Sequence, residues 1–129
     1  MAGPRGRTAD ERRELPRVVE DVHDCLTWLI PHLDKLPRNR RFTLGERIES
    51  GLLDVLELLI DATYARANAD SLRRANRRLA VVRHLWRVLH DLKDIGIERY
   101  GLGAEKLVNI GRQIGGWQRA SAGPVETMP

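Results

Sequence analysis

The chain has 129 residues, a length that fits one domain rather than two. Its residues are 42% hydrophobic but only 5% aromatic, which predicts an aliphatic core of the kind found between packed helices. The formal net charge is +4, and the single cysteine excludes an intrachain disulfide, so a reduced, cytoplasmic setting is expected.

The two ends of the sequence differ in composition from the part between them. Residues 1–15 and 119–129 are polar and contain glycine, proline and mixed charge, which predicts disordered tails around one helical domain over residues 16–118. The first residues contain no apolar run of the secretory kind. No stretch approaches the roughly 18 uninterrupted apolar residues of a membrane span, so no membrane partner is expected.

Four helical segments and no strand are predicted between the tails. The first runs from about Arg17 to Leu36, where apolar residues recur at steps of three and four. Its apolar stripe consists of Val18, Val22, Cys25, Leu29, Leu33 and Leu36. Such a stripe is typical of a helix with one side packed in a core.

The second helix is predicted from about Thr43 to Arg66. Thr43 and Glu46 have the T-x-x-E spacing of a capping box, which would begin the helix at Thr43. Its expected buried face consists of Leu44, Ile48, Leu52, Val55, Leu56, Leu59 and Thr63.

The third helix is predicted from about Asp70 to Asp94. Asp70 is the expected N-cap, and Gly96 is placed to stop the helix. Its apolar side consists of Leu72, Ala75, Leu79, Val82, Trp86 and Leu89.

The fourth helix is predicted from about Glu98 to Trp117, with Gly101 and Gly103 forming a loose start and Gly115–Gly116 ending it. Its apolar side consists of Leu102, Leu107, Ile110 and Ile114. Since the connections between the four helices are short, the fold class is all-α, an up-and-down four-helix bundle.

Charge is segregated between the second and third helices. From Thr43 to Ala65, the second carries five acids, Glu46, Glu49, Asp54, Glu57 and Asp61, against Arg47. From Asp70 to Lys93, the third carries seven bases against Asp70 and Asp91, namely Arg73, Arg74, Arg77, Arg78, Arg83, Arg87 and Lys93. At about 100° per residue, an arginine arc lies opposite the apolar side, with Arg74 and Arg78 on its flank. This arginine arc consists of Arg73, Arg77, Arg83, His84 and Arg87.

A second arginine cluster, Arg38, Arg40 and Arg41, falls in the predicted loop between the first two helices. Arginine binds phosphate oxygens with two parallel hydrogen bonds, which favours a sequence-independent nucleic-acid surface formed by the two clusters. The alternative is a solvated face partly paired with the acidic second helix, within or between chains, and composition alone favours that alternative. No aromatic residue interleaves with the arginines of the third helix, so contact with the phosphate backbone is expected rather than base stacking.

Residues for catalysis or metal binding are not apparent in the sequence. No two of the four histidines have the spacing that places two metal ligands on one helical face, and one cysteine makes a zinc site improbable. Cys25 belongs to the apolar stripe and is expected to be a buried structural thiol. We therefore expect no enzyme activity, no metal and no cofactor.

Trp28 lies off the main apolar stripe of the first helix. Tryptophan in such a position belongs either to the periphery of the core or to a subunit contact, where tryptophan is enriched. The sequence leaves both possibilities open.

Several stretches together resemble the accessory variability determinant (Avd) proteins of diversity-generating retroelements. The similarity extends over roughly residues 20–118 and is carried by residues 29–32 (LIPH), 36–48 (LPRNRRFTLGERI) with 52–54 (LLD), 89–93 (LHDLK) and 110–117 (IGRQIGGW). Each motif alone is weak, and their common order makes the resemblance more specific. Four-helix proteins encoded in intervening sequences of bacterial ribosomal RNA genes belong to the same broader superfamily.

The resemblance implies a four-helix bundle that assembles as a homopentameric barrel. It also implies a non-catalytic subunit that binds RNA and DNA and associates with the retroelement reverse transcriptase, which makes mutagenic cDNA from a template RNA. Two alternatives remain: an rRNA-associated bundle of the intervening-sequence type, and a bundle that contacts only proteins. The resemblance favours a nucleic-acid role for the arginine clusters.

Overall fold

In the computed structural model, which describes residues 15–122, every regular element is helical. The four long helices are α1 (Arg17–Asp34), α2 (Glu46–Tyr64), α3 (Ala69–Asp91) and α4 (Ile97–Ala122). α1 packs against α2 and α4, and α3 packs against the same two helices. The predicted four-helix bundle is confirmed.

The core is aliphatic apart from Trp86 and Cys25, as the composition predicts. The predicted stripes of the first and third helices are buried throughout. Of the face predicted for the second helix, Ile48, Leu52, Val55 and Leu59 are buried, whereas Leu44, Leu56 and Thr63 are only half-buried. No polar or charged residue among the described ones is buried in this core. The core therefore rests on apolar burial, worth roughly 25 cal/mol per Å².

One polar contact joins α1 to α4 at the border of the core. Asp21 on α1 accepts hydrogen bonds from Gln113 Nε2 at 2.6 Å and from Asn109 Nδ2 at 3.1 Å. Because Asn109 and Gln113 are one helical turn apart, both amides reach the same carboxylate oxygen. These hydrogen bonds fix the register of α4 against α1.

The start of α2 differs from the prediction. A helical turn, Arg38–Arg40, and a π-helical turn, Arg41–Gly45, lead directly into α2, so the arginine cluster is helical rather than a loop. Thr43 does not cap a helix, because its hydroxyl donates to the Asn39 carbonyl at 2.7 Å, one turn earlier. The capping-box prediction for Thr43 and Glu46 is wrong.

Both ends of α3 also differ from the prediction. The helix begins at Ala69, and Asp70 lies in its first turn, where its carboxylate pairs with Arg73 instead of capping the helix. The helix ends at Asp91, before Gly96. It is closed by Lys93, which has the left-handed φ of 68°.

α4 is longer than predicted and includes all of its glycines. It continues past Gly115–Gly116 to Ala122, so the predicted domain boundary at 118 lies inside a helix. The rest of the predicted tails, residues 1–14 and 123–129, lies outside the described residues. Within α4, Leu102 is 52% exposed, against the prediction, because the buried position facing Trp86 is occupied by its neighbour Gly103.

Within residues 15–122, no helix combines the length and the hydrophobicity that a membrane-spanning segment requires.

Candidate nucleic-acid interface

The arginine arc lies on the exposed side of α3. All five of its residues are exposed, as are the flanking Arg74 and Arg78, while the opposite side of the helix is buried. The arrangement follows from the 3.6-residue period: apolar residues at every third or fourth position leave the remaining positions to solvent. The structure therefore brings these seven side chains to one side of the bundle.

Three of the arginines on α3 have carboxylate partners on the same helix. Asp70 pairs with Arg73 and lies 3.9 Å from Arg74, and Asp91 lies 3.9 Å from Arg87. These pairs are exposed, and exposed ion pairs contribute only about 0–1 kcal/mol. A phosphate ligand can compete with them at little cost.

One ion pair joins the acidic helix to the basic one. Arg78 Nε lies 3.4 Å from an Asp54 carboxylate oxygen on α2. It is the only ion pair between α2 and α3 among the described residues, so the acidic face of α2 does not neutralise the arginine arc within one chain.

Arg77 and Arg83 are the arc residues best placed to bind a ligand. Both are exposed, and neither makes an ion pair within the described part of the chain. Their guanidinium groups keep all of their donors available for phosphate oxygens.

The second arginine cluster divides into two kinds of side chain. Arg40 Nε donates to Asp94 Oδ2 at 2.6 Å, and both side chains are largely buried, 28% and 14% exposed. This pair joins the helical turn before α2 to the segment after α3, so the Arg40 side chain has a structural contact. Arg38 and Arg41 are exposed instead.

Phe42 is an exposed aromatic residue beside the second cluster, which the sequence-based interpretation did not use. Its side chain is 51% exposed, and the guanidinium carbons of Arg41 and Arg38 lie 4.6 Å and 5.8 Å from its ring centre. These are cation–π distances. The signal was available, since Phe42 directly follows Arg41 in the sequence.

Two grooves along α3 are bordered by arginine and contain no carboxylate. The α2–α3 groove has a volume of about 280 Å³ and is lined by Leu58, Arg74, Arg77, Arg78 and Val81. The α3–α4 groove has a volume of about 380 Å³ and is lined by Ala80, Arg83, His84, Arg87, Tyr100, Ala104, Leu107 and Val108. In the α3–α4 groove, Tyr100 of α4 lies next to the arginine arc. The sequence of α3 alone did not indicate this aromatic neighbour.

Trp28 packs on the border of the core and also faces outward. Its ring meets Trp86 edge to face at 6.1 Å between ring centres, and Lys106 Nζ lies 5.4 Å from the ring centre. It also lines a pocket of about 600 Å³ with the exposed Ile97 and Leu102. The core contact is established, and a subunit contact stays a prediction.

Two titratable groups away from the arginines, Cys25 and His32, have shifted pKa values. Burial raises the pKa of the Cys25 thiol to about 11, although Lys106 opposes the shift, so the thiolate is scarce at neutral pH. Burial lowers the pKa of His32, and Arg99 and Lys35 lower it further. No group of three or more possible metal ligands occurs within residues 15–122.

A family model described as bAvd-like matches residues 18–121, which include all four long helices almost completely. None of the curated proteins matches the chain.

Proposed function

Because the chain belongs to the bAvd-like family, we propose that it is a non-catalytic accessory subunit of a diversity-generating retroelement. In this role it binds template RNA and cDNA through their phosphate backbones and contacts the reverse transcriptase. The polymerase carries out the chemistry, and the accessory subunit supports mutagenic cDNA synthesis by holding the nucleic acid.

The observation that carries this proposal is the exposed arginine arc, in which Arg77 and Arg83 make no ion pair with any other residue between 15 and 122. Phosphate binding by such a face does not depend on sequence, and it releases counterions from the nucleic acid. Arg38 and Arg41 add a second basic patch at the turn before α2, beside the exposed ring of Phe42.

We also propose that the protein works as a homo-oligomer, a pentamer by analogy with the Avd proteins. Ile97 and Leu102, near the start of α4, are 66% and 52% exposed and line a pocket together with Trp28 of α1. Apolar side chains next to a tryptophan are typical of the centre of a subunit contact. Several copies of the arginine arc would multiply the phosphate-binding surface.

Reconstitution with the reverse transcriptase and the template RNA from the same retroelement tests this function. We expect cDNA synthesis to fall strongly when the protein is omitted. We expect a similar fall with the double variant Arg77→Gln/Arg83→Gln, but not with Arg17→Gln/Arg47→Gln, which removes the same charge from α1 and α2. cDNA synthesis that is unchanged without the protein would contradict the proposal.

A further inference from the structure

The α3–α4 groove differs from a flat basic surface in having both a cationic border and an apolar floor. Arg83, His84 and Arg87 border it from α3, and Leu107 and Val108 lie on the α4 side. Its volume of about 380 Å³ lies within the roughly 300–1,000 Å³ of small-ligand sites. No carboxylate lines it, so nothing in the groove repels an anion.

Small residues on both helices create the groove. Ala80 on α3 and Ala104 on α4 line it, and a larger side chain at either position would fill the groove. Gly111 lies just beyond, where a β-carbon would be 3.9 Å from Nη1 of Arg83. Arg83 therefore reaches across the space that these small residues leave, toward α4.

Tyr100 gives the groove an aromatic wall that is held in place. Its ring stacks on His90 with 4.8 Å between ring centres and an interplanar angle of 17°. Its backbone carbonyl accepts a hydrogen bond from Trp86 Nε1 at 3.0 Å. A ring fixed in this way loses little entropy when a planar ligand binds against it.

We propose that the α3–α4 groove binds one unpaired nucleotide of a single-stranded nucleic acid. Arg83 and Arg87 contact its phosphate, and its base lies against the Tyr100 ring and the apolar floor. This inference rests on the proposed nucleic-acid function and adds to it a preference for single strands. In a duplex the bases are paired and stacked, so a duplex can place only its phosphates on the arginine arc, whereas unpaired bases are free to enter a pocket.

The test compares two probes of equal length, a labelled single-stranded RNA and the corresponding duplex. Ala80→Leu fills the groove without changing charge, at an exposed helical position where leucine is well tolerated. Ala67→Leu makes the same change at an exposed residue in the connection between α2 and α3, outside the groove, and serves as the control. Tyr100→Leu removes the aromatic wall and keeps the backbone carbonyl that Trp86 uses.

Ala80→Leu and Tyr100→Leu are each expected to weaken single-strand binding about tenfold, within the range of stacking on one aromatic side chain. Duplex binding by both variants, and all binding by Ala67→Leu, should stay within about twofold of the wild type. Equal weakening for both probes, or none for either, would overturn the proposal that the groove binds a nucleotide, while leaving the proposed function intact. If the wild type binds neither probe, the proposed function fails as well.

A third probe, uridine monophosphate, distinguishes a free nucleotide from a nucleotide within a strand. If uridine monophosphate causes chemical-shift changes at Ala104, Leu107 and Val108 that disappear in Ala80→Leu, the groove binds the free nucleotide. If uridine monophosphate causes no shifts but the single strand causes them, the groove requires the continuous strand. Shifts from the single strand that persist in Ala80→Leu would overturn the proposal.

Discussion

Gly103 determines how closely α3 and α4 approach each other. A β-carbon at this residue would lie 2.6 Å from the Trp86 ring. At that distance either the ring or the helix backbone would have to move. Trp86 cannot easily move away, because it is fully buried and its Nε1 is hydrogen-bonded to the Tyr100 carbonyl. The sequence suggested a loose helix start at Gly103, whereas the structure shows a tight helix contact.

We expect Gly103→Ala to lower the free energy of unfolding by up to about 2 kcal/mol. Overpacking costs roughly 1–3 kcal/mol, and the higher helix propensity of alanine offsets about 1 kcal/mol of this. Gly101→Ala is the matched control, since a β-carbon there meets nothing within 4 Å, and it should stabilise the protein by up to about 1 kcal/mol. Urea unfolding measures both, and equal effects at the two positions would contradict the close contact.

The surroundings of His32 favour the neutral form of its ring. Its ring lies 4.5 Å from that of Trp28, and its buried Nδ1 has no hydrogen-bond partner among the described residues. Burial lowers its pKa, and the positive charges of Arg99 and Lys35 act in the same direction. The unfolded chain therefore binds a proton at His32 more readily than the folded protein does.

A lowered folded-state pKa means that stability decreases as the pH falls through the unfolded-state value, near 6.5. We expect the melting temperature to drop between pH 7.5 and pH 5.5, and His32→Gln to reduce this drop because it removes the titrating ring. Thermal unfolding of both proteins at the two pH values is the measurement. An identical drop in the variant would show that His32 does not contribute.

The end of α3 has the geometry of a Schellman motif without its usual glycine. The N–H of Lys93 donates to the His90 carbonyl at 2.8 Å, and the N–H of Asp94 donates to the Leu89 carbonyl at 2.9 Å. Lys93 has the left-handed conformation that glycine adopts most easily in this position, at a cost of roughly 1–2 kcal/mol for other residues. Gly96, which the sequence favoured as the stop, lies after the motif.

Lys93→Gly is expected to raise the free energy of unfolding by about 0.5–1 kcal/mol. The gain is smaller than the strain removed, because glycine also gives the unfolded chain more conformational freedom. Leu92→Gly provides the contrast: Leu92 has an ordinary φ of −83°, so glycine there should destabilise. Chemical denaturation of both variants tests this, and a loss of stability in Lys93→Gly would refute it.

The turn before α2 contains arginines with two different roles. Arg40 pairs with Asp94 in a partly buried contact, whereas Arg38 is exposed near Phe42. We expect Arg40→Gln to cost about 1–3 kcal/mol of stability, because it weakens the pairing of a largely buried carboxylate. Arg38→Gln should leave stability nearly unchanged and weaken RNA binding.

Denaturant unfolding and RNA titration of the same two variants separate these roles. If Arg40→Gln weakens RNA binding at unchanged stability, Arg40 binds nucleic acid directly and the structural role is wrong.

The four helices and most of their buried faces could be predicted, because an apolar period of three to four residues is a local property of the sequence. The helix ends could not. The apparent capping box at Thr43 fails because the chain is already helical from Arg38, and α4 continues through Gly115–Gly116 because Ile114 and Trp117 pack on the core. Tertiary packing outweighs the roughly 1 kcal/mol that each glycine costs.

The exposure of the arginine arc could be predicted for the same reason as the helices, since it is the reverse of the apolar side of α3. The contacts that other elements make with the two arginine clusters could not be predicted, because these contacts join distant parts of the chain. Arg40 and Asp94 are 54 residues apart, and Tyr100 joins the groove from α4. Contacts of this kind depend on which helices become neighbours and how closely they approach.

Across the whole molecule, a modest net charge of +4 has an uneven distribution. Acidic side chains are concentrated on α2 and basic ones on α3, with only the Arg78–Asp54 ion pair between these helices in the described chain. A uniform distribution of the same charge would attract nucleic acid weakly. The concentration on α3 produces a local positive potential that can bind phosphates despite the acids elsewhere.

The salt dependence of nucleic-acid affinity tests the central claim, that the arginine arc binds phosphates, most directly. The logarithm of the association constant for duplex DNA should fall linearly with the logarithm of salt concentration, with a slope of about −0.9 for each phosphate that the protein neutralises. Arg77→Gln/Arg83→Gln should make that slope shallower by about 0.9 for each phosphate that these two arginines neutralise, and Arg17→Gln/Arg47→Gln should leave it unchanged. A flat salt response of the wild type, or the same slope in the wild type and Arg77→Gln/Arg83→Gln, would contradict the claim.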